Sequence, residues 1–471
     1  MKQNPLPDAV AALFPTATER CRVEEWLSGE LQRASVRIQA GPVAPTVDMT
    51  AFRAELETFD FDRPRPLEEM LRWTIERMER GIVQMANPRY FGLFNPGPSF
   101  PAQCADRVAS VFNPQLASSA SSPVPVELER YVVRAIARRA AFPDGATGHF
   151  ATGGSESNYT ALLCALTGAH PGFAGDGARA FGGPVRIYSS RDCHIAWLKA
   201  AHQAGVGRAA LRLVDTDGRG RMDPQALSRA IALDRGQGAV PVMVVATAGT
   251  TGAGMIDPLH ACADVAQQER LWYHVDAAWG GAALASNRLR KLLDGIERAD
   301  SLTIDAHKWL ATTMGCAVFI TRHAHLLSEA FHASTSFMPS SVAGVDPYLN
   351  SMQWSRRFLG LRLFLALACA GWDGLGAHVE RSVEVVERVK ERLIDLGWTV
   401  ANDSGLAVLD VVPPRELAPV RDLVRRVVAS GRAWVAPTTF EGRDVVRICA
   451  THGETSLQDV DTLVAALIER R

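Results

Sequence analysis

The 471 residues are 47% hydrophobic, and 50 Lys and Arg stand against 51 Asp and Glu, for a formal charge of −1. That is enough apolar material for two or three folded units, while the balanced charge offers no basic field for nucleic acid and no polybasic anchor for a membrane. The eight cysteines are scattered, with no CxxC pair and no ligand-like spacing to histidine, which argues against a metal site or disulfide framework and for a reducing cytoplasm.

Taken in chain order, the N-terminal MKQNPLPDAVAALFP is no signal peptide: it has one Lys, an early Asp and only a short apolar run. Even LFLALACAGW (363–372) is too short to span a bilayer. Residues 1–84 form a helical segment, because ERCRVEEWLSGELQRASVRI and PLEEMLRWTIERMERGIVQM repeat apolar residues at three and four. NPRYFGLFNPGPSFP (87–101) reads as an ordered loop. From 145, short β-branched runs alternate with helical patterns: GHFATGG, VRIYSS, PVMVVATAG, LWYHVDAA, SLTIDAH and CAVFIT are the strands. Strand and crossover helix in repetition predict a mostly parallel sheet with helices on both faces, over a large domain of residues 85–358. A long helix, HVERSVEVVERVKERLIDLGW, then leads into strands AVLDVV and DVVRICA and a final helix, a smaller α/β domain of residues 359–471.

In open α/β sheets ligands bind at the carboxyl ends of strands, and the unusual clusters fall there. ATGGSESN (151–158) puts glycines and hydroxyls where a strand gives way to a helix, a place for a phosphate as well as for an ordinary turn. VATAGTTGAG (245–254) is a second strand-end hydroxyl cluster. HVDAAWGG ends a buried strand with Asp276, a carboxylate that calls for a cationic partner unless it is a helix cap. Lys308, in SLTIDAHKWL, follows the next strand, so neighbouring parallel strands bring both residues to one sheet edge. A lone lysine is usually a solvated surface residue; a partly desolvated one loses its proton more easily and can attack a carbonyl. Phosphate cradle, buried Asp, strand-end His194 and reactive Lys together are what pyridoxal 5′-phosphate requires.

ATGGSESN, RDCHIAW, ATAGTTG, HVDAAWGG, DAHKWL and QWSRRF occur in the order and spacing of the group II pyridoxal-dependent amino acid decarboxylases, which the chain resembles from about residue 60 to 450. The resemblance implies a fold type I α/β enzyme and a homodimer, joined through the helical N-terminal segment, with shared active sites. It makes Lys308 the lysine bonded to the cofactor, Asp276 the partner of the ring nitrogen, Ala278 a ring contact, and His194 the residue stacked on the ring, able to donate a proton. Ser155, Glu156, Ser157 and His307 surround the phosphate, the first three partly through backbone N–H; Thr251 lies near the cofactor's oxygen side, and Ser355 reaches the phosphate from the partner subunit. Asp305 stands where some relatives carry Asn.

The substrate pocket departs from the family pattern. Phe94 and Asn95 lie in the aromatic-rich loop, where Leu93 replaces an aromatic of catechol-type relatives; Phe94, Phe337 and Ser355 are expected to complete the neighbouring subunit's site. LASSASSP (116–123) is small-sided, and Arg447 is a carboxylate anchor by position. In FHASTSFMPSSVAG, Phe337 takes the place of the tyrosine that family members use to protonate the product carbon. Decarboxylation of an aromatic or bulky apolar L-amino acid to its amine is the expected activity. Oxidative conversion to an aldehyde, as in the aromatic aldehyde synthases, is the alternative. A catalytically silent binding protein on the same fold is opposed by the intact Lys308, Asp276 and His194, and a dinucleotide-binding protein by the missing GxGxxG.

Overall fold

The structure, a computed structural model, describes residues 8–333 and 345–469. Its centre is a seven-stranded sheet built from β1 (Thr147–Ala151), β2 (Val185–Ser190), β3 (Leu211–Val214), β4 (Val240–Thr247), β5 (Trp272–Asp276), β6 (Ser301–Asp305) and β7 (Ala317–Thr321). The spatial order is β1-β7-β6-β5-β4-β2-β3, with β3, β2, β4, β5 and β6 mutually parallel and β7 antiparallel to both neighbours. This is the mostly parallel α/β sheet that the alternation predicts, and it agrees with the fold type I that the resemblance implies. β5, β6 and β7 are buried at every position, which is why they read as apolar runs rather than as strict alternation.

The first 84 residues carry helices Ala17–Ala40, Met49–Leu56 and Leu67–Gly81. Thr16 and Glu19 cap the first of these reciprocally, and the Asp48 side chain caps the second. Few of their side chains are buried, and Leu31, Met49, Leu67 and Met78 lie exposed. On the helices Phe100–Phe112 and Pro123–Arg139, Val111, Phe112 and Val124 are exposed as well.

The second sheet, β10-β11-β9-β8, is antiparallel: β8 (Thr399–Val400), β9 (Val408–Val412), β10 (Ala436–Phe440) and β11 (Arg443–Cys449). One helix, Gly360–Asp395, precedes it, broken at Gly371, whose φ of 63° is left-handed. The helix is therefore longer than its sequence pattern from 378 suggests, because its apolar first part, GLRLFLALACA, is already helical. No helix among the described residues is long and apolar enough to cross a membrane.

Candidate active site

The register of the parallel strands aligns Thr247 with Asp276 and Asp276 with Thr303, so β4, β5 and β6 end along one edge. Lys308 follows three residues after β6. On β1's side, the helix Gly154–Ala169 points its N-terminus at the same place. Between them lies a cavity of about 230 Å³, lined among others by Phe94, Ser155, His194, Thr251, Asp276, Ala278, His307 and Lys308. A larger surface cleft of about 470 Å³, with Arg221, His260 and Ser404 on its walls, contains none of these residues.

Asp276 is 4% exposed and has no cationic partner among the described residues, contrary to the expectation for a carboxylate in an apolar strand. Neutral donors hold it instead: Asn158 Nδ2 at 2.7 Å and Trp197 Nε1 at 3.3 Å on Oδ2, and the Ala278 N–H at 3.2 Å on Oδ1. The carboxylate thus keeps its charge available to a cation that enters the cavity.

Lys308 Nζ sits 3.0 Å from Asp305 Oδ2, with the lysine side chain 18% and the aspartate 3% exposed. It also lies 5.6 Å from the centre of the Phe94 ring. Phe94 stacks on Trp279 at 4.3 Å, and Trp279 on Trp309 at 4.5 Å, giving one wall a rigid aromatic face. His307 is pinned by its Nδ1 to the Cys316 backbone. His194 is exposed and its Nδ1 accepts from the Ala196 N–H at 3.1 Å, which fixes the ring at the mouth.

The helix N-terminus supplies an anion cradle. Gly153 caps it without a side-chain bond, and the N–H groups of Gly154 and Ser155 find no acceptor among the described residues. Glu156 and Ser157 depart from expectation. Their N–H groups are used within the helix on the Gly153 carbonyl, and neither residue lines the cavity. The Glu156 carboxylate accepts from Thr152 and Gln353, and Ser157 is fully buried. A Cβ on Gly154 would meet the Asp305 carboxylate at 2.9 Å, so only glycine leaves the cradle open. Thr247 Oγ1 and Asp305 Oδ1 are buried at the cavity without a partner. Unused N–H donors, orphaned polar atoms, a carboxylate awaiting a cation and a lysine in one cavity fit pyridoxal phosphate. Gly154→Ala is expected to weaken cofactor binding about tenfold, the scale of crowding a packed site, in a titration of cofactor-free protein; unchanged affinity would place the phosphate elsewhere.

Phe94 is a correction. Expected to serve the neighbouring subunit, it lines the cavity of its own chain, because the loop before it is tied to the small sheet. Phe91 exchanges backbone bonds with Trp434 and Cys449, and Leu93 N–H donates to the Tyr90 hydroxyl. Arg447 does not line the cavity. It is 2% exposed, donates from Nη1 to the Gly92 carbonyl at 2.7 Å, and lies 4.5 Å over the Phe94 ring. Its strand partner Asp410 is fully buried, and burial pushes that carboxyl up to about 7 against the pull of Arg447. Asn95 does not line the cavity and donates to the His307 carbonyl and the Met314 sulfur, and Ser355 is exposed and outside the cavity of its own chain. Phe337 lies outside the described residues. The sequence reading missed Gly154, Asn158, Thr247, Gly249 and Trp279 as lining residues, although all sit within or next to the quoted motifs.

Fold and cavity together define a pyridoxal-phosphate enzyme of fold type I. Residues 53–398 match the pyridoxal-dependent decarboxylase conserved domain, and the chain belongs to that family. Cysteine sulfinic acid decarboxylase of Mus musculus is 35% identical over 319 residues, 66% of this chain and 64% of that protein's length. Aromatic-L-amino-acid decarboxylase of Bacillus atrophaeus is 27% identical over 437 residues, 90% of this chain and 89% of that one. The crystal structure of mouse CSAD superposes with a TM-score of 0.87 at 27% identity, covering 94% of this chain and 98% of the other. That of Oryza sativa TDC with PLP and tryptamine gives 0.89 at 25% identity, covering 96% of both.

Proposed function

We propose that the protein removes the α-carboxylate of an L-amino acid as carbon dioxide and releases the amine, favouring aromatic or bulky apolar side chains. The observation that carries this reading is the meeting of the Lys308 amine and the Asp276 carboxylate in one cavity at the strand ends. Bound there, pyridoxal phosphate supplies an electron sink for the bond that breaks. Asp276 keeps positive charge on the ring side of the cavity, and Asp305, 3.0 Å from the Lys308 amine, holds that amine at the cavity. His194 at the mouth moves a proton on this reading, while Arg447, buried and 4.5 Å over the Phe94 ring, holds that loop rather than a substrate carboxylate. The Phe94–Trp279 wall supports an apolar side chain; the likeness to a cysteine sulfinic acid decarboxylase supports an acidic one.

The protein works as a homodimer on this reading, with Ser355 and Phe337 serving the partner's site; the exposed Val111, Phe112 and Val124 support an apolar contact. A second reading rests on Phe337, since a phenyl ring has no proton to give. Oxygen and water would then convert the amino acid to aldehyde, ammonia, carbon dioxide and hydrogen peroxide. Purified protein given the common L-amino acids and L-cysteine sulfinate, with carbon dioxide, amine and oxygen followed together, separates these outcomes. Aromatic substrates are expected to give at least about tenfold higher kcat/KM, the discrimination expected of an apolar pocket. Preference for the sulfinate overturns the side-chain assignment, oxygen uptake matched to aldehyde favours the second reading, and no carbon dioxide from any substrate overturns the activity. Sedimentation as a monomer under turnover conditions would remove the dimer.

A further inference from the structure

The alternation of WYHVD places Trp272, His274 and Asp276 on one face of β5, beneath the helix that carries Asn158. Each of these side chains is buried, with His274 fully so. The polar atoms form one line. Trp272 Nε1 donates to Ser301 Oγ at 2.8 Å; Ser301 Oγ lies 2.8 Å from His274 Nδ1; His274 Nε2 lies 3.2 Å from Asn158 Oδ1; Asn158 Nδ2 donates to Asp276 Oδ2 at 2.7 Å.

The direction of every bond follows from its ends. Indole N–H can only donate, and an ionised carboxylate can only accept. Asn158 therefore turns its NH₂ to Asp276 and its oxygen to His274. Burial pushes His274 down to about 4, so the ring is neutral and carries one N–H. That proton must sit on Nε2, facing the Asn158 oxygen, which leaves Nδ1 to accept from the Ser301 hydroxyl. Ser301 in turn accepts from Trp272. No member has a free choice of orientation, and all are satisfied.

We propose that Asn158 and His274, oriented by Ser301 and Trp272, are a one-way hydrogen-bond relay that positions the Asp276 carboxylate for the nitrogen of the cofactor ring. Asn158, His274, Ser301 and Trp272 do not touch the reacting atoms; they are positioning residues. The relay fixes Oδ2 and leaves Oδ1, held only by the Ala278 N–H, as the oxygen with spare accepting capacity toward the cavity. The donors on the carboxylate are all neutral, so that the ring cation meets no competing positive charge from this side. A hydrogen-bonded carboxylate in a dry site is stronger for being locked in one orientation.

The inference rests on the cavity holding pyridoxal phosphate, and the test separates the two. Cofactor-free protein is titrated with pyridoxal phosphate and with its analogue bearing carbon in place of the ring nitrogen. The wild type is expected to prefer the natural cofactor by at least about tenfold, the scale of a hydrogen bond to a charged group. His274→Leu, close in size, should contract that preference severalfold and leave affinity for the carbon analogue unchanged. His274→Gln, whose amide can donate to Asn158 and accept from Ser301, should restore it. If His274→Leu does not fold, Ser301→Ala is read in the same way. A preference unchanged in the variants, or both affinities falling together, overturns the relay; no binding of pyridoxal phosphate by the wild type overturns the site itself.

Discussion

Lys308→Ala is expected to lower turnover at least about a thousandfold, because it removes the covalent attachment of the cofactor and the positioning that attachment supplies. The protein should still fold. Lys308 lies at the cavity and not in the packed core, and its neighbours Trp309 and His307 keep their own packing and backbone contacts. The substitution does strand the Asp305 carboxylate, which is 3% exposed and loses its cation at 3.0 Å. A stability loss of about 1–3 kcal/mol is expected from that uncompensated charge, discounted for the partly exposed lysine. Adding Asp305→Asn to Lys308→Ala should recover stability without recovering activity. Urea unfolding and a turnover assay on the single and double variants check both parts. Turnover within tenfold of wild type in Lys308→Ala would contradict the lysine's role.

Asp276→Asn is expected to cost turnover about 10²–10³-fold, the range for removing one preorganised electrostatic group. The amide is nearly the same size, so packing against Trp197 and Asn158 survives while the charge goes. Its NH₂ also faces a problem, since both polar groups around Oδ2 are donors. The variant amide therefore points its oxygen at Asn158 and its NH₂ toward the cavity, presenting a donor where the ring nitrogen needs an acceptor. Turnover, cofactor affinity and the cofactor's absorption spectrum should all change in this variant. Near-normal values in all three would make Asp276 a structural residue only.

Much of this site is legible in the sequence because its chemistry sits at strand ends, where apolar runs stop at glycine, hydroxyl or charge. Asp276 and Lys308 share an edge because β5 and β6 are parallel neighbours, as the spacing of their runs implies. The alternation in WYHVD was equally readable, yet the neutral solution to the Asp276 charge was not. Its donors come from Asn158 and Trp197, more than 70 residues away in sequence. The reversal of β7 between β1 and β6 escaped for a different reason: a strand buried on both faces reads the same in either direction. In the small sheet, β10 is APTTF, polar and half-exposed, and carries no strong strand signal. Gly371, with Gly374 and Gly376 close behind, interrupts the apolar run before the helical pattern that starts at His378, whereas it only bends a continuing helix. Phe94 was assigned to the wrong subunit because what anchors its loop is a set of backbone bonds to Trp434 and Cys449, which no side-chain pattern records.

The most direct measurement is borohydride reduction of the protein with its cofactor, followed by peptide mapping. The expected result is a single modified residue, Lys308, in stoichiometric yield and absent from Lys308→Ala. Attachment at Lys199, Lys291 or any other lysine, or no attachment in protein that binds pyridoxal phosphate, would contradict the assignment of the site.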